Sequence, residues 1–309
     1  MRSVFIGSVE SSWTAYAHLQ RNSLAPDLVI TLPPDRQARH SDYADLGALT
    51  QQFGQEVLRT SSANSAEAIS ACRRIEPDIL WVLGWSEIVK AELLSVPTIG
   101  TVGAHPSLLP RMRGRAVIPW TILSGVANTG MSLFWLDEGL DTGDIICQVQ
   151  VPVAEGEDAR SLYTKQTNAL QSGLDHIIDQ APEHWPRTPQ VQENVSYCGK
   201  RTDMDGEIDW SRPAEEIWTL IRAVTDPYPG AHTALGGFRL RIWSASQYRG
   251  PTSYLGVPGQ VQDFMGDKAL ITCGAGTCLL IDAVGLDGEA ERQPAAALLK
   301  RHQYLGLTN

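Results

Sequence analysis

Four short apolar runs, each followed by a turn and a helical pattern, constrain the fold of this chain more than any other feature. They have the length and composition of β-strands and are Ser3 to Ile6, Leu28 to Thr31, Ile79 to Leu83 and Thr98 to Ala104. Strands that alternate with helices at this spacing pair in parallel through right-handed crossovers. Among the helical patterns, one predicts a helix over Ala44 to Phe53 and another a helix between Gly84 and Pro97. The sequence therefore predicts an α/β fold with a doubly wound, mostly parallel sheet of the Rossmann type.

Two further apolar segments end this first part of the chain. Met131 to Leu136 and Asp144 to Val151 follow each other without a helix between them, so we expect a hairpin or split pair of strands with an acidic loop at its turn. A long helix over Ala159 to Gln180 is predicted to follow.

A proline-rich stretch, Ala181 to Gln192, marks a change of domain. We predict a catalytic domain over residues 1–185, a linker over 186–203 and a smaller domain over 204–309. The last part has a helix over Ala214 to Ala223 and five short β segments separated by glycine turns. That pattern predicts a small β-barrel of the OB-like type.

Composition limits the classes of function. The chain has 309 residues, of which 43% are hydrophobic, and a formal net charge of -10, which argues against a large nucleic-acid-binding surface. Its five cysteines lack CxxC spacing, so the sequence predicts free core thiols in a reducing cytoplasm, with neither a disulfide framework nor a metal site. No run reaches the roughly 20 apolar residues that span a bilayer, and we expect no membrane partner.

A histidine and an aspartate form the most specific constellation. His105 ends an apolar run and is followed by Pro106, which places the imidazole where a strand leaves its sheet. Asp141 lies in the acidic loop, together with Asp137, Glu138 and Asp144. A histidine and a carboxylate brought together from such loops make an acid/base pair. The other three carboxylates are interpreted as solvated or loop-capping groups.

Several other polar residues are candidate substrate ligands. Ser8 lies in a turn that opens a helix, a place where anions bind, although the GxGxxG dinucleotide fingerprint is missing. Ser107 follows the histidine, and Arg113 and Arg115 either hold an acceptor phosphate or pair with the acidic loop.

These motifs resemble the folate-dependent formyltransferase family. The resemblance rests on the run His105 to Pro110, on Arg113-Gly114-Arg115 and on Asp141-Thr142-Gly143. In the second domain, Gly206 to Trp210 and Ile221 to Gly230 resemble the C-terminal domain of methionyl-tRNA formyltransferase and, more closely, UDP-4-amino-4-deoxy-L-arabinose formyltransferase.

The resemblance implies N10-formyltetrahydrofolate as the formyl donor and an amine as the acceptor. It implies that His105 stabilises the oxyanion or assists proton transfer, and that Asp141 is the general base or orients the histidine. It also implies two folate-binding segments, the first of which is Trp85, Ser86, Glu87, Ile88 and Val89. The second is the loop from Asp137 to Asp141, in which Leu140 is included.

One residue departs from the family pattern. The family carries an asparagine two residues before the histidine, where this chain has Gly103. Glycine has no side-chain donor, and loss of one oxyanion donor typically costs about 10² to 10³ in rate. Backbone amides or Ser107 are the alternative donors.

Several acceptors are compatible with the sequence. A nucleotide-linked amino sugar is expected first, followed by an amino acid or hydroxylated amine of a natural-product pathway. The acidic net charge leads us to expect that tRNA is not the partner, although methionyl-tRNA formylation is kept as an alternative. A non-catalytic folate- or nucleotide-binding homologue and hydrolysis of the formyl donor are also left open, as is a homodimer.

Overall fold

A computed structural model of the chain describes residues 1–289 and 291–306. The chain folds into two compact units. The first unit consists of Met1–Val117, Ala127–Val153 and Tyr163–Gly199. The second consists of Ile118–Val126, Ala154–Leu162 and the chain from Lys200 onward.

The first unit is built on a seven-stranded sheet with the order β3-β2-β1-β4-β5-β7-β8. Its strands are β1 (Ser3–Ile6), β2 (Leu28–Thr31), β3 (Val57–Arg59), β4 (Ile79–Val82), β5 (Gly100–His105), β7 (Asn128–Trp135) and β8 (Ile145–Pro152). The five strands from β3 to β5 pair in parallel, whereas β7 is antiparallel to both β5 and β8. The predicted mostly parallel sheet is confirmed, and the strand pair with the acidic loop at its turn is observed.

Helices alternate with these strands along the chain. They are α1 (Glu10–Arg21), α2 (Leu46–Thr50), α3 (Ala66–Ile75), α4 (Ala91–Leu94), α5 (Val117–Leu123) and α6 (Ala159–Ile178). A short parallel pair, β6 (Arg113–Gly114) with β9 (Tyr197–Cys198), forms a separate two-stranded sheet. Residues 186–199, which composition marks as linker, therefore include a strand of the first unit.

The core of the first unit follows the apolar runs of the sequence. Every residue of β1, β2 and β4 is buried, and Trp81 is the largest of the fully buried side chains. Strands buried on both faces are continuously apolar because helices cover both sides of a parallel sheet. This is why the bounds of β1 and β2 agree with those predicted from the sequence.

Three elements of the first unit differ from the sequence prediction. The helix expected over Ala44 to Phe53 is shorter, because α2 passes into a 3₁₀ turn that ends at the left-handed Gly54. The helix expected between Gly84 and Pro97 is reduced to α4. The sequence does not predict β3, since three partly exposed residues at a sheet edge lack an apolar run.

The second unit is an antiparallel sheet preceded by helix α7 (Ala214–Val224). The strand order is β10-β11-β14-β13-β12, with β15 paired to β14. The strands are β10 (Ala231–Leu235), β11 (Phe238–Gln247), β12 (Val261–Met265), β13 (Lys268–Thr272), β14 (Cys278–Leu286) and β15 (Gln293–Pro294), and helix α8 (Ala295–Leu298) follows. The prediction of a smaller C-terminal β domain is confirmed.

A helix with the length and apolarity of a membrane span does not occur in residues 1–289 and 291–306. Within the same ranges, no group of three or more His, Cys, Asp or Glu side chains is placed to hold a metal ion. All five cysteines are free thiols, and Cys72 and Cys273 are buried.

Candidate active site

His105 is the last residue of β5, at the carboxyl end of the parallel strands. Its backbone pairs with Ser132 of β7, and its side chain is buried, with the residue only 5% exposed. The following turn is fixed by side chains of the neighbouring strands: Ser132 Oγ donates to the carbonyl of Ser107 (2.7 Å), and Gln148 Nε2 donates to that of Leu109 (2.9 Å). The sheet therefore gives the imidazole one defined position.

Asp141 reaches the same place from the loop between β7 and β8. Its Oδ2 accepts a hydrogen bond from the Gly114 amide at 2.8 Å and lies 3.5 Å from His105 Nδ1. The structure thus brings together the two residues that the sequence predicts as an acid/base pair. It adds a backbone amide that fixes one carboxylate oxygen.

The other imidazole nitrogen identifies the tautomer. His105 Nε2 lies 2.8 Å from the carbonyl oxygen of Met112, which can only accept a hydrogen bond. Nε2 therefore carries a hydrogen, and Nδ1 is the nitrogen that faces the carboxylate. With its hydrogen on Nε2 the neutral ring has an acceptor at Nδ1, and only the imidazolium form carries a second proton there, which it can share with Asp141 or with a third group beside both residues.

Asp141 and two residues of the segment that follows His105 have left-handed backbone conformations. The φ angles are +57° at Met112, +54° at Ala116 and +55° at Asp141. Aspartate tolerates this region better than methionine or alanine, and such conformations cost on the order of 1–3 kcal/mol each. Conformations of this kind cluster at sites where chemistry depends on exact placement.

Gly103 is closely packed where the family pattern has asparagine. A Cβ at this position would lie 2.6 Å from Leu136 Cδ2 and 3.1 Å from Phe134 Cε1. Side chains two residues apart on a strand share a face, so the Leu136 side chain takes up space on the His105 side of β5. Leu136 has no polar group, and a hydrogen-bond donor for the reacting oxygen must come from elsewhere.

Hydrogen bonds to the Glu87 side chain hold the first predicted folate segment, Trp85 to Val89, against residues 62 and 63. The carboxylate accepts hydrogen bonds from Ser62 Oγ at 2.6 Å and from the Ala63 amide at 2.8 Å. Burial raises the pKa of Glu87, but the hydrogen bonds it accepts outweigh burial and hold the pKa below its ordinary value. The donors are Ser62, Asn64, the Ala63 amide and Trp85.

Both predicted folate segments carry one large aliphatic side chain in an exposed position. Ile88 is 59% exposed and Leu140 is 41% exposed, whereas Val89 is buried in the core. Asp137 closes its own loop by accepting hydrogen bonds from the Gly139 amide and from Thr142 Oγ1. Its place as a folate contact stays a prediction.

The predicted substrate ligands lie in different surroundings. Ser8 is buried beyond the carboxyl end of β1, and the Ser107 hydroxyl donates to the Arg111 carbonyl at 2.6 Å. The Arg113 side chain is buried against Gln190 and Tyr197. Arg115 is exposed and donates to the backbone carbonyl of Ser86, which links it to the first predicted folate segment.

Gln190 is a further residue of the site, and it is not recognisable from the sequence. Its Nε2 donates to the backbone carbonyls of Asp141 (2.9 Å) and Gly143 (2.8 Å), so it holds the turn that carries the aspartate. It lies in the proline-rich stretch that composition marks as linker, where no local pattern distinguishes it. The hydrogen bond from the Gly114 amide to Asp141 is likewise not predictable from the sequence, although the motif that contains Gly114 is part of the family resemblance.

Known proteins resemble this chain over nearly its whole length. A methionyl-tRNA formyltransferase of Akkermansia muciniphila is 34% identical, and the match covers 99% of this chain and 98% of that protein. A second one, from Geobacter sulfurreducens, is 29% identical with coverages of 97% and 93%. Among solved structures, an N-formyltransferase from Helicobacter canadensis, in complex with folinic acid and dTDP-3-aminofucose, has a TM-score of 0.64 at 19% identity, with coverages of 90% and 98%.

These relatives overturn one expectation from the sequence. The acidic net charge suggested that tRNA is not a partner, yet the full-length relatives are enzymes named for tRNA formylation. The error lies in using a charge averaged over 309 residues, because an acceptor is recognised by local groups at one face of a protein.

Family models match both parts of the chain. The model described as formyl transferase matches residues 1–178, and the model of the formyl transferase C-terminal domain matches residues 200–303. The resemblance and the enzyme class predicted from the motifs are confirmed. This chain belongs to the formyl transferase family.

Proposed function

We propose that this enzyme transfers a formyl group from N10-formyltetrahydrofolate to a primary amine, with His105 and Asp141 as the catalytic residues. The observation that carries the proposal is the convergence of His105 Nδ1 and the Gly114 amide on one oxygen of Asp141. When bound, N10-formyltetrahydrofolate would supply the formyl group: its carbon–N10 bond is exchanged for the bond to the amine, and tetrahydrofolate leaves with a proton on N10.

The two side chains meet the two demands of the reaction. An attacking amine must lose a proton, and negative charge develops on the carbonyl oxygen of the formyl group. Asp141 is an acceptor with one oxygen fixed by Gly114, so it is assigned the proton of the amine. His105 is fixed through Nε2, and in the imidazolium form, which carries a hydrogen on both ring nitrogens, the hydrogen on Nδ1 is assigned to the developing charge.

The residues predicted to bind folate fit a flat ring with polar edges. Glu87 fixes the backbone of the first segment, and Ile88 presents an exposed apolar surface beside it. Leu140 presents a second exposed apolar surface in the other segment. An aromatic ring gains stability by covering apolar surface while main-chain groups bind its edge.

Methionyl-tRNA is proposed as the first acceptor. It is supported by the full-length relatives, whose identity reaches 34% over 99% of this chain. The reacting group of that acceptor is an α-amine on an aminoacyl ester. This amine meets the same requirement for proton removal by Asp141.

A nucleotide-linked amino sugar is the second candidate acceptor. It is supported by the resemblance of Gly206 to Trp210 and Ile221 to Gly230 to the amino-arabinose formyltransferase pattern. An amino acid or a hydroxylated amine presents the same primary amine and belongs in the same assay.

The experiment is a formyl-transfer assay with purified enzyme and N10-formyltetrahydrofolate. The acceptors are methionyl-tRNA, UDP- and dTDP-linked amino sugars, free amino acids and hydroxylated amines, and buffer alone detects hydrolysis to formate. We expect methionyl-tRNA to give the highest kcat/KM. A protein that binds the donor and transfers to none of these amines would contradict the proposal. Transfer to an amino sugar alone would leave the chemistry in place and replace the acceptor.

A further inference from the structure

The Gln190 carboxamide is fully engaged between the Asp141 turn and a buried arginine. Its Nε2 donates to the carbonyls of Asp141 at 2.9 Å and Gly143 at 2.8 Å, which uses both of its hydrogens. Its Oε1 accepts from Arg113 Nε at 3.2 Å and Nη2 at 2.6 Å. Gln190 thus joins two segments that are distant in the sequence.

Arg113 is a rigid anchor for this carboxamide. The residue is only 3% exposed, and its Nη1 donates to the Tyr197 hydroxyl at 3.2 Å. Its backbone amide donates to the Ser196 carbonyl at 2.9 Å, beside the β6–β9 pairing. A positive guanidinium on the amide oxygen polarises the carboxamide and strengthens its N–H groups as donors.

The turn that accepts these hydrogen bonds has a sterically restricted backbone. Asp141 has a φ of +55°. Gly143 leaves no room for a side chain, since a Cβ there would lie 1.8 Å from the Trp135 carbonyl oxygen. In this arrangement of the turn the carboxylate reaches both Gly114 and His105. A contact that holds the two carbonyls of the turn therefore controls where the carboxylate lies.

We propose that Gln190, anchored by Arg113, is a positioning residue that holds Asp141 in its reactive place. This inference rests on the proposed function, because it assumes that Asp141 takes part in formyl transfer. Gln190 acts through the backbone of Asp141 and is assigned no contact with the donor or the acceptor. Arg113 is assigned to this anchor rather than to an acceptor phosphate, since three of its nitrogens are already engaged inside the protein.

Gln190→Glu tests the proposal with a nearly isosteric change. The new oxygen faces the carbonyl oxygens of Asp141 and Gly143 and repels both, while the other oxygen still pairs with Arg113. Misplacement of a catalytic group by about 1 Å costs on the order of 10²-fold in rate. We expect kcat to fall by about that factor, with KM for donor and acceptor nearly unchanged. Gln192→Glu adds the same charge at an exposed position nearby and is expected to leave kcat at the wild-type value.

An NMR measurement reports the position of the carboxylate without any turnover. The Gly114 amide donates to Asp141 Oδ2, so its ¹H–¹⁵N resonance shifts when the carboxylate moves. We expect a shift in Gln190→Glu and in Gln190→Met, which removes the hydrogen bonds without adding charge, and no shift in Gln192→Glu. A wild-type Gly114 resonance in a folded Gln190 variant would overturn the positioning role, as would a wild-type kcat. A failure of the proposed function would be seen separately, as wild-type kcat in Asp141→Asn.

Discussion

At the scale of single residues, Gly103 changes the expected chemistry of the site most. The position that holds an amide side chain in the family pattern is closed here by Leu136, which packs within van der Waals reach of the glycine. The missing donor is therefore replaced by an apolar contact. Nδ1 of His105 in its imidazolium form then becomes the principal side-chain donor assigned to the reacting oxygen.

This packing predicts that Gly103 tolerates no larger residue on its own. Gly103→Ala is expected to lower the free energy of unfolding by about 1–3 kcal/mol, because the new methyl group overpacks against Leu136 and Phe134. Urea unfolding of Gly103→Ala, Leu136→Ala and the double variant measures the coupling between the two sites.

We expect the variant with both Gly103→Ala and Leu136→Ala to lose less free energy of unfolding than the two single variants lose in sum. The expected coupling energy between the two sites is about 0.5–3 kcal/mol. Strict additivity would show that Leu136 does not close this position. Gly103→Asn is expected to lower activity for the same steric reason, and an increase would contradict the account.

The two side chains of the acid/base pair are predictable from the sequence, whereas the groups around them are not. His105 and Asp141 each follow an apolar run, which predicts that both lie beyond the ends of strands. β7 is antiparallel to β5 and ends beside Val102, so the loop after it must return along β5 to bring Asp141 to His105, and the run of apolar residues does not predict that path. The partners of Asp141 are Gly114, 27 residues away, and Gln190, 49 residues away. Hydrogen bonds across such distances have no periodic signature in a sequence.

At the scale of elements, the segment Trp85 to Val89 depends on one carboxylate. Glu87→Gln replaces an acceptor that binds Ser62 and the Ala63 amide, and the new amide group meets a donor. We expect the free energy of unfolding at pH 7 to fall by about 1.5–3 kcal/mol, which is the usual contribution of a hydrogen bond to a charged group. An increase in KM for the folate donor is also expected, since the segment is a predicted donor site.

The stability loss in Glu87→Gln has a predicted pH dependence. The pKa of Glu87 is lower in the folded than in the unfolded chain, so its stabilisation is complete above the unfolded value of about 4.3 and disappears as the pH falls through the folded value. The difference between wild type and Glu87→Gln in urea unfolding should therefore shrink below about pH 4.3. A difference that grows on acidification would contradict the assigned hydrogen bonds.

Strands with strong apolar runs are predicted better than short or exposed elements. β1 and β2 have the expected bounds because burial on both faces selects continuous apolar residues. β3 escapes prediction because it is short and partly exposed. The helix expected before β5 is reduced to α4, a single turn, since helical periodicity over so few residues does not determine where a helix begins.

At the scale of the whole molecule, neither charge nor the C-terminal motifs identify the acceptor. Net charge predicts the wrong partner class because it averages over all surfaces. The apolar residues of the C-terminal motifs, Ile208, Trp210, Ile221 and Val224, are buried. Their similarity to a relative therefore reports in part the packing of the second unit, and the motifs alone do not choose between the two proposed acceptors.

The buried thiols give a prediction for each compact unit. Burial raises the pKa of Cys72 in the first unit and of Cys273 in the second to about 12. Since the thiolate is the reactive form, neither thiol should react with an alkylating reagent at a pH of about 8 in the native protein. Mass spectrometry after labelling in buffer and in urea measures this, and rapid native labelling of either thiol would contradict its burial.

Single-turnover formyl transfer by Asp141→Asn decides whether His105 and Asp141 carry out the reaction. Asparagine tolerates the left-handed backbone at this position and keeps the size of the side chain, so the variant removes the charge and leaves the backbone and the packing nearly unchanged. Asp144→Asn, the same change in the same loop but outside the predicted folate segment, is the matched control. We predict that the transfer rate falls by at least about 10² in Asp141→Asn and in His105→Ala, while donor binding and the Asp144→Asn rate stay at wild-type values. Near-wild-type transfer by both site variants would contradict the account.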